Sequence, residues 1–265
     1  MNLFLHELKT YGKSTGIWVL SLSLLIILFL SFFPIYAENA EVVKTLLQGF
    51  PQGFLAAFGV DLQTIFSFLG FYGYIFSYIM LCGAIQAMNL GISVISKETS
   101  HHTADFLLTK PISRSSVLSA KIAAVLMLLL LTNIIYILVA SISALIISTS
   151  AFQYTTFLLV SLTLLFVQLL FSALGILIAI LAPRIKSVLM VSMGTVSGFF
   201  MLSMLVSVLR DEKLRYFSPF DYFNVQSIIQ YSTYESTFLL LEIILITLMI
   251  TGSYLLFSKK DIHSA

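Results

Sequence analysis

The chain has 265 residues, 59% of them hydrophobic and 10% charged, with a mean hydropathy of +1.02. Ordinary soluble domains carry about 25% charged residues, so this much apolar surface excludes a water-soluble globule. A formal net charge of +2, with the basic residues in short clusters beside apolar runs, gives no basic stripe for nucleic acid, and the single cysteine, Cys82, excludes an internal disulfide.

At the N-terminus, Met1, Phe4, Leu5, Leu8 and Tyr11 recur at helical spacing, while Asn2, His6, Lys9, Thr10 and Lys13 fill the other side. That pattern predicts an amphipathic interfacial helix lying flat on the membrane over 1–13, a frayed tail being the plain alternative. The apolar run that follows is longer than the roughly 7–15 residues of a signal-peptide core, and Ala37 and Ala40 are one residue too far apart for an A-x-A cleavage site. It is therefore read as a retained span.

About 20 apolar residues at 1.5 Å each cross the hydrocarbon, and lipid demands that all backbone polar groups be satisfied within the segment. On that criterion six spans are expected, at about 16–36, 71–95, 117–147, 156–181, 187–209 and 236–257. Trp18 and Tyr36 suit interfacial anchoring of the first. The aromatic stretch Leu62–Gly70 either dips into the membrane or lies at its surface. Ile122 to Pro183 carries no charge and divides into spans three and four at Ser148-Thr149-Ser150; span six is interrupted only by Glu242. The fold class expected is an all-α membrane protein with one transmembrane domain over 1–265. Six spans put both termini on one side. With that side inside, the inner segments hold Lys9, Lys13, Lys97, Lys110, Arg114, Lys121, Arg184, Lys186, Lys259 and Lys260, and the outer loops only Lys44, Arg210, Lys213 and Arg215. The excess favours N-in, C-in.

Within the spans, Gly83, Ala87 and Gly91 repeat every four residues, as do Gly194 and Gly198. Small residues at that spacing let helix backbones approach closely in lipid, within one subunit or across a dimer. Met190, Met193, Met201 and Met204 share a narrow arc of span five. Adaptable thioethers suit a greasy, variable substrate in a translocation path, and core packing is the plainer reading. Glu242 lies about two turns inside span six, where a carboxylate faces a cavity, a partner or nearby water. Gln86, Asn89, Asn133 and Gln168 read as interhelical hydrogen-bonding groups. No phosphate-cradling loop, nucleophile constellation or metal-ligand spacing is present, His6, His101, His102 and His263 included.

The charged loop between spans two and three is the most informative stretch. Ala104, Leu107 and Leu108 fall on one side of a short helix that Pro111 must end, and Ser113 is placed to cap span three; a solvated connector is the plain alternative. The run E-x-x-x-x-T-x-x-F-L-L-T-K-P-I-S-R-x-x-x-L-x-x-K, from Glu98 to Lys121, resembles the signature of ABC-2 type permeases, the membrane subunits of ABC exporters. The Ser218-Pro219-Phe220-x-Tyr222-Phe223 run and the Phe257-x-Lys259-Lys260-Asp261 ending agree.

The resemblance implies that this loop is a cytoplasmic coupling helix docking a separate ATPase subunit, with Glu98, Phe106, Leu107, Thr109, Pro111 and Arg114 in or bracing the contact. It also implies ATP and Mg on that partner with no cofactor on this chain, a second permease copy, identical or not, and a dimer interface and translocation path lined by spans two and five. A pair of short membrane-dipping helices is implied within Tyr216–Tyr234. The location implied is a cell membrane, that of the bacterial cytoplasm. Two rival readings remain: an ion-coupled secondary transporter, which requires ionisable groups near the bilayer midplane, and a non-transporting membrane sensor or assembly factor.

Overall fold

A computed structural model describes residues 3–100, 113–148, 151–182 and 184–259. Among the described residues, six helices are long and apolar enough to cross a membrane: span one (Leu3–Ser31), two (Phe68–Ser100), three (Arg114–Ile147), four (Tyr154–Leu181), five (Val188–Leu209) and six (Ser236–Lys259). No strand occurs among the described residues. The start of span one and the end of span six share one end of the bundle, called here the terminal end; the opposite end is the distal end.

Local chemistry sets several of the boundaries. The Ser113 hydroxyl accepts from the Ser116 N–H at 3.3 Å and the Ser187 hydroxyl from the Met190 N–H at 3.3 Å, so both helices begin on a serine N-cap. Span five stops at Arg210, whose left-handed backbone (φ 53°) closes the helix. The first span has no such stop where one was expected. Residues 3–31 form a single helix, so the predicted flat helix over 1–13 is not a separate element. One face of this part packs inward, with Glu7 and Thr15 buried and Leu8 and Tyr11 on the core, while His6, Lys9 and Lys13 stay exposed.

Spans two and four form the central pair, and spans five and six lie at the periphery. Of the apolar window of span two 67% is buried inside the chain, against 11% for span five. The central contact depends on missing side chains. A Cβ on Gly91 would stand 2.4 Å from the Ser172 carbonyl oxygen, and one on Gly175 would stand 2.7 Å from that of Met88, so the two backbones touch without intervening atoms.

The distal end is more structured than the apolar pattern implied. Phe33–Glu38, expected as the end of span one, is a separate short helix, and two more cover Ala40–Gln48 and Gln52–Ala57, where only a loop was expected. Of Leu62–Gly70, residues 62–67 are turns and the rest opens span two: Asp61 accepts from the Gln63 N–H and the Thr64 hydroxyl, and Ser67 accepts from the Gly70 N–H. A Cβ at Gly70 would collide with the Thr64 carbonyl at 1.9 Å, so this turn demands glycine. Within Tyr216–Tyr234 there is one α-helix, Val225–Tyr231, preceded by a 3₁₀ turn at Pro219–Asp221, not a pair of α-helices. Phe220, Tyr222, Phe223 and Ile228 anchor this segment in the core.

Candidate functional site

The loop that carries the family signature falls largely outside the described residues, and with it Phe106, Leu107, Thr109 and Pro111. The backbone of Glu98 belongs to the last turns of span two, while its side chain is not described. Arg114, half-buried, opens span three, and its Nη1 donates to the Ser258 carbonyl at 3.4 Å, joining the start of span three to the end of span six.

At the terminal end of the bundle, spans one and three share an ion pair. Lys121, two turns into span three, is 1% exposed; its Nζ donates to Glu7 Oε1 at 2.8 Å and to the Val94 carbonyl at 2.7 Å. One turn away, the Tyr11 hydroxyl donates to the Ser93 carbonyl at 2.8 Å. Spans one, two and three are thus clamped to one another at the root of the 97–112 stretch. Beside the clamp, a cavity of about 480 Å³ opens between spans one and two, lined by Thr10, Ser14, Trp18, Gln86 and Asn89.

Deeper in the bundle, spans two, three and four share a chain of buried amides and hydroxyls. Asn133 Nδ2 donates to Gln168 Oε1 at 2.6 Å; Gln168 Nε2 donates to Gln86 Oε1 at 3.2 Å and to the Gly83 carbonyl at 3.3 Å; Gln86 Nε2 donates to the Thr132 hydroxyl at 3.1 Å. Nearer the distal end, Tyr72 pairs with Tyr136 at 3.1 Å and Ser161 at 2.7 Å. Gln86, Asn133 and Gln168 therefore hold helices together, as their residue type suggested. Asn89 does not join them: it lines the terminal-end cavity.

The small residues divide. Gly83, Ala87 and Gly91 face span four: Ala87 is fully buried, and a Cβ on Gly83 would meet Leu164 Cδ1 at 2.5 Å. Gly194 and Gly198 are exposed, with nothing within 4 Å of the added atom. Met190, Met193 and Met201 stand on the same outer side of span five, 75%, 47% and 65% exposed, so they are not core packing. Met204 is half-buried and lines a cavity at the distal end instead.

Glu242 is 3% exposed, and neither carboxyl oxygen has a hydrogen-bond partner. The phenols close enough to feel its charge, Tyr222 and Tyr234, donate elsewhere, to the Tyr216 carbonyl at 2.7 Å and the Leu159 carbonyl at 2.6 Å. Burial pushes both phenols up to about 12, so they stay neutral donors committed to the main chain.

Sequence reasoning passed over four residues here. Lys121 counted only among the inner basic residues, and Glu7 was not singled out; the signal was that Glu7, Tyr11 and Thr15 repeat every four residues on one helix face. Arg215, counted as a loop cation, binds both oxygens of Glu235, at 2.9 and 3.3 Å, donates to the Asp221 carbonyl at 3.1 Å and lies 4.2 Å from the Phe238 ring centroid. Asp221 lines the distal cavity, about 480 Å³ between spans two and five and the segments 52–63 and 220–226.

A search of curated proteins finds no match to the sequence. A family model does match: residues 1–262 fit the family described as ABC-2 family transporter protein. Nearly the whole chain is covered, and the six apolar helices are those of a multi-pass membrane protein; the chain accordingly belongs to the ABC-2 transporter family, as a membrane permease component of an ABC transporter.

Proposed function

We propose that this permease exports its substrate with power drawn from a separate ATPase subunit that docks on the segment 98–114, with both termini on the cytoplasmic side of a bacterial cell membrane. The observation that carries the reading is the family match over 1–262 in a chain whose described residues are almost wholly membrane-spanning or bundle-capping helices. ATP and Mg belong to the partner, where hydrolysis takes place, and Glu98, Phe106, Leu107, Thr109, Pro111 and Arg114 form or brace the contact. The Glu7–Lys121–Val94 clamp supports this arrangement: a push on the docking segment would pass to spans one, two and three together. A second permease copy completes the path. The bare side of span five, with Gly194, Gly198, Met190, Met193 and Met201, is the face offered to it, and Met204 and Glu242 lie nearer the distal end of that path.

The test is to co-express the cognate ATPase and measure its retention on the purified permease. Substitution of Thr109, Pro111 and Arg114 is expected to strip the ATPase from a permease that remains folded; unchanged retention would refute docking at this segment.

Glu242 favours a second reading, transport coupled to an ion, because a buried carboxylate without a donor is a place to hold a proton or metal cation. Glu242→Gln separates the two: ion coupling requires it to abolish transport even with the ATPase supplied, whereas ATP-driven export tolerates it.

A further inference from the structure

The distal cavity has chemistry that the permease reading leaves unused. Its walls are apolar in part, through Met80, Met204, Phe200, Phe220 and Val225, and acidic at two points, Asp61 and Asp221. At about 480 Å³ it falls within the size of small-molecule sites, which run from roughly 300 to 1,000 Å³. Asp61 is already occupied, its two oxygens accepting from the Gln63 N–H and the Thr64 hydroxyl at 3.0 Å each. Asp221 is not. It is 7% exposed, and its Oδ2 has no hydrogen-bond partner.

The nearest cation does not neutralise it. The guanidinium of Arg215 is committed to the Glu235 carboxylate, and it reaches Asp221 only through the main-chain carbonyl. Arg210 is the cation lining the cavity, and it is exposed. Burial pushes the Asp221 carboxyl up from the ordinary aspartate range, and the Ser218 and Ser203 hydroxyls and the Arg215 charge offset this only in part. A buried carboxylate oxygen without a donor, in a cavity with part of its wall apolar, is poised for a positive charge from outside the chain.

We propose that the distal cavity is a binding site for an organic cation with an apolar body, its charge held by Asp221 and its hydrophobic part by Met80, Met204, Phe200 and Phe220. This names a substrate class for the exporter and so rests on the permease reading, but binding needs neither the ATPase nor transport. Fixed negative charge in a low-dielectric wall selects cations over neutral or anionic molecules of the same shape. The two methionines let the apolar wall adjust to different bodies.

Tetraphenylphosphonium and tetraphenylborate test this directly, since they share shape and differ in the sign of charge. The full chain is reconstituted into lipid nanodiscs without ATPase, and binding of radiolabelled tetraphenylphosphonium is measured above that of empty discs. Saturable binding is expected, undisturbed by tetraphenylborate and weakened about tenfold or more by Asp221→Asn, while Asp61→Asn has a smaller effect. A second readout guards against misfolding of the Asp221 variant: a cysteine placed by Ser207→Cys at the cavity wall should be protected from a thiol reagent by tetraphenylphosphonium. No saturable binding, equal affinity in Asp221→Asn, or no protection at position 207 would overturn the proposal. Unchanged ATPase retention after substitution of Thr109, Pro111 and Arg114, with tetraphenylphosphonium binding intact, would instead overturn the docking reading alone.

Discussion

Spans two and five carry small residues at the same four-residue spacing, yet one is the best-buried helix of the chain and the other among the least. Along span two, Gly83, Ala87 and Gly91 meet span four so closely that Gly91 lies against the Ser172 backbone. Along span five, Gly194 and Gly198 meet nothing, and the surrounding surface is methionine and leucine: Met190, Met193 and Met201 with Leu189 and Leu205. The spacing permits close approach but does not choose the partner. On span two, polar groups opposite the small residues choose it. Gln168 of span four donates to the carbonyl of Gly83 itself, so the small residue and the hydrogen bond define one register. Span five has no such group beside Gly194 or Gly198, which leaves its face to lipid or to another subunit.

Substitutions should expose this contrast in graded form. Gly91→Leu carries the largest expected effect, because its Cβ alone would be 2.4 Å from a backbone oxygen that cannot rotate away; no folded, monodisperse protein is expected on size-exclusion chromatography. Lys121→Met comes next. Removing one partner of a buried ion pair costs about 3–5 kcal/mol, which should appear as a marked fall in thermal midpoint, and adding Glu7→Leu should restore much of it by removing the stranded carboxylate. Gln168→Leu should cost about 1–2 kcal/mol, the scale of interhelical hydrogen bonds in membranes, measured as a smaller fall in the same midpoint. Gly194→Leu is the counterpart of Gly91→Leu and should leave the midpoint of the isolated chain unchanged while lowering the dimer fraction seen by native mass spectrometry.

The spans were legible because lipid imposes a simple rule: about twenty apolar residues, all backbone groups satisfied within the helix. The serine cap at Ser113 followed from local chemistry, and the interhelical roles of Gln86, Asn133 and Gln168 followed from residue type. What a charge does was not legible. Lys121 and Glu7 each look like a surface group until they are seen 2.8 Å apart, and 114 positions separate them in the chain. Arg215 likewise counted against the inside-positive rule, whereas its charge is balanced within the fold by Glu235. The distal helices Ala40–Gln48 and Gln52–Ala57 went unread because short elements lack enough turns for periodicity to register. Of the methionine arc, Met190, Met193 and Met201 stand exposed and Met204 is half-buried at the distal cavity, because spacing along one helix does not say whether a face looks inward or outward.

A photo-crosslinking residue at Phe106, in cells that also make the cognate ATPase, tests most directly whether this permease borrows its power through the segment between its second and third spans. A covalent adduct containing the ATPase is the expected result, formed on illumination and absent when the same group is placed at Ile35 of the distal end. Adducts formed only from Ile35, or labelling of position 106 solely by impermeant reagents added outside intact cells, would contradict it.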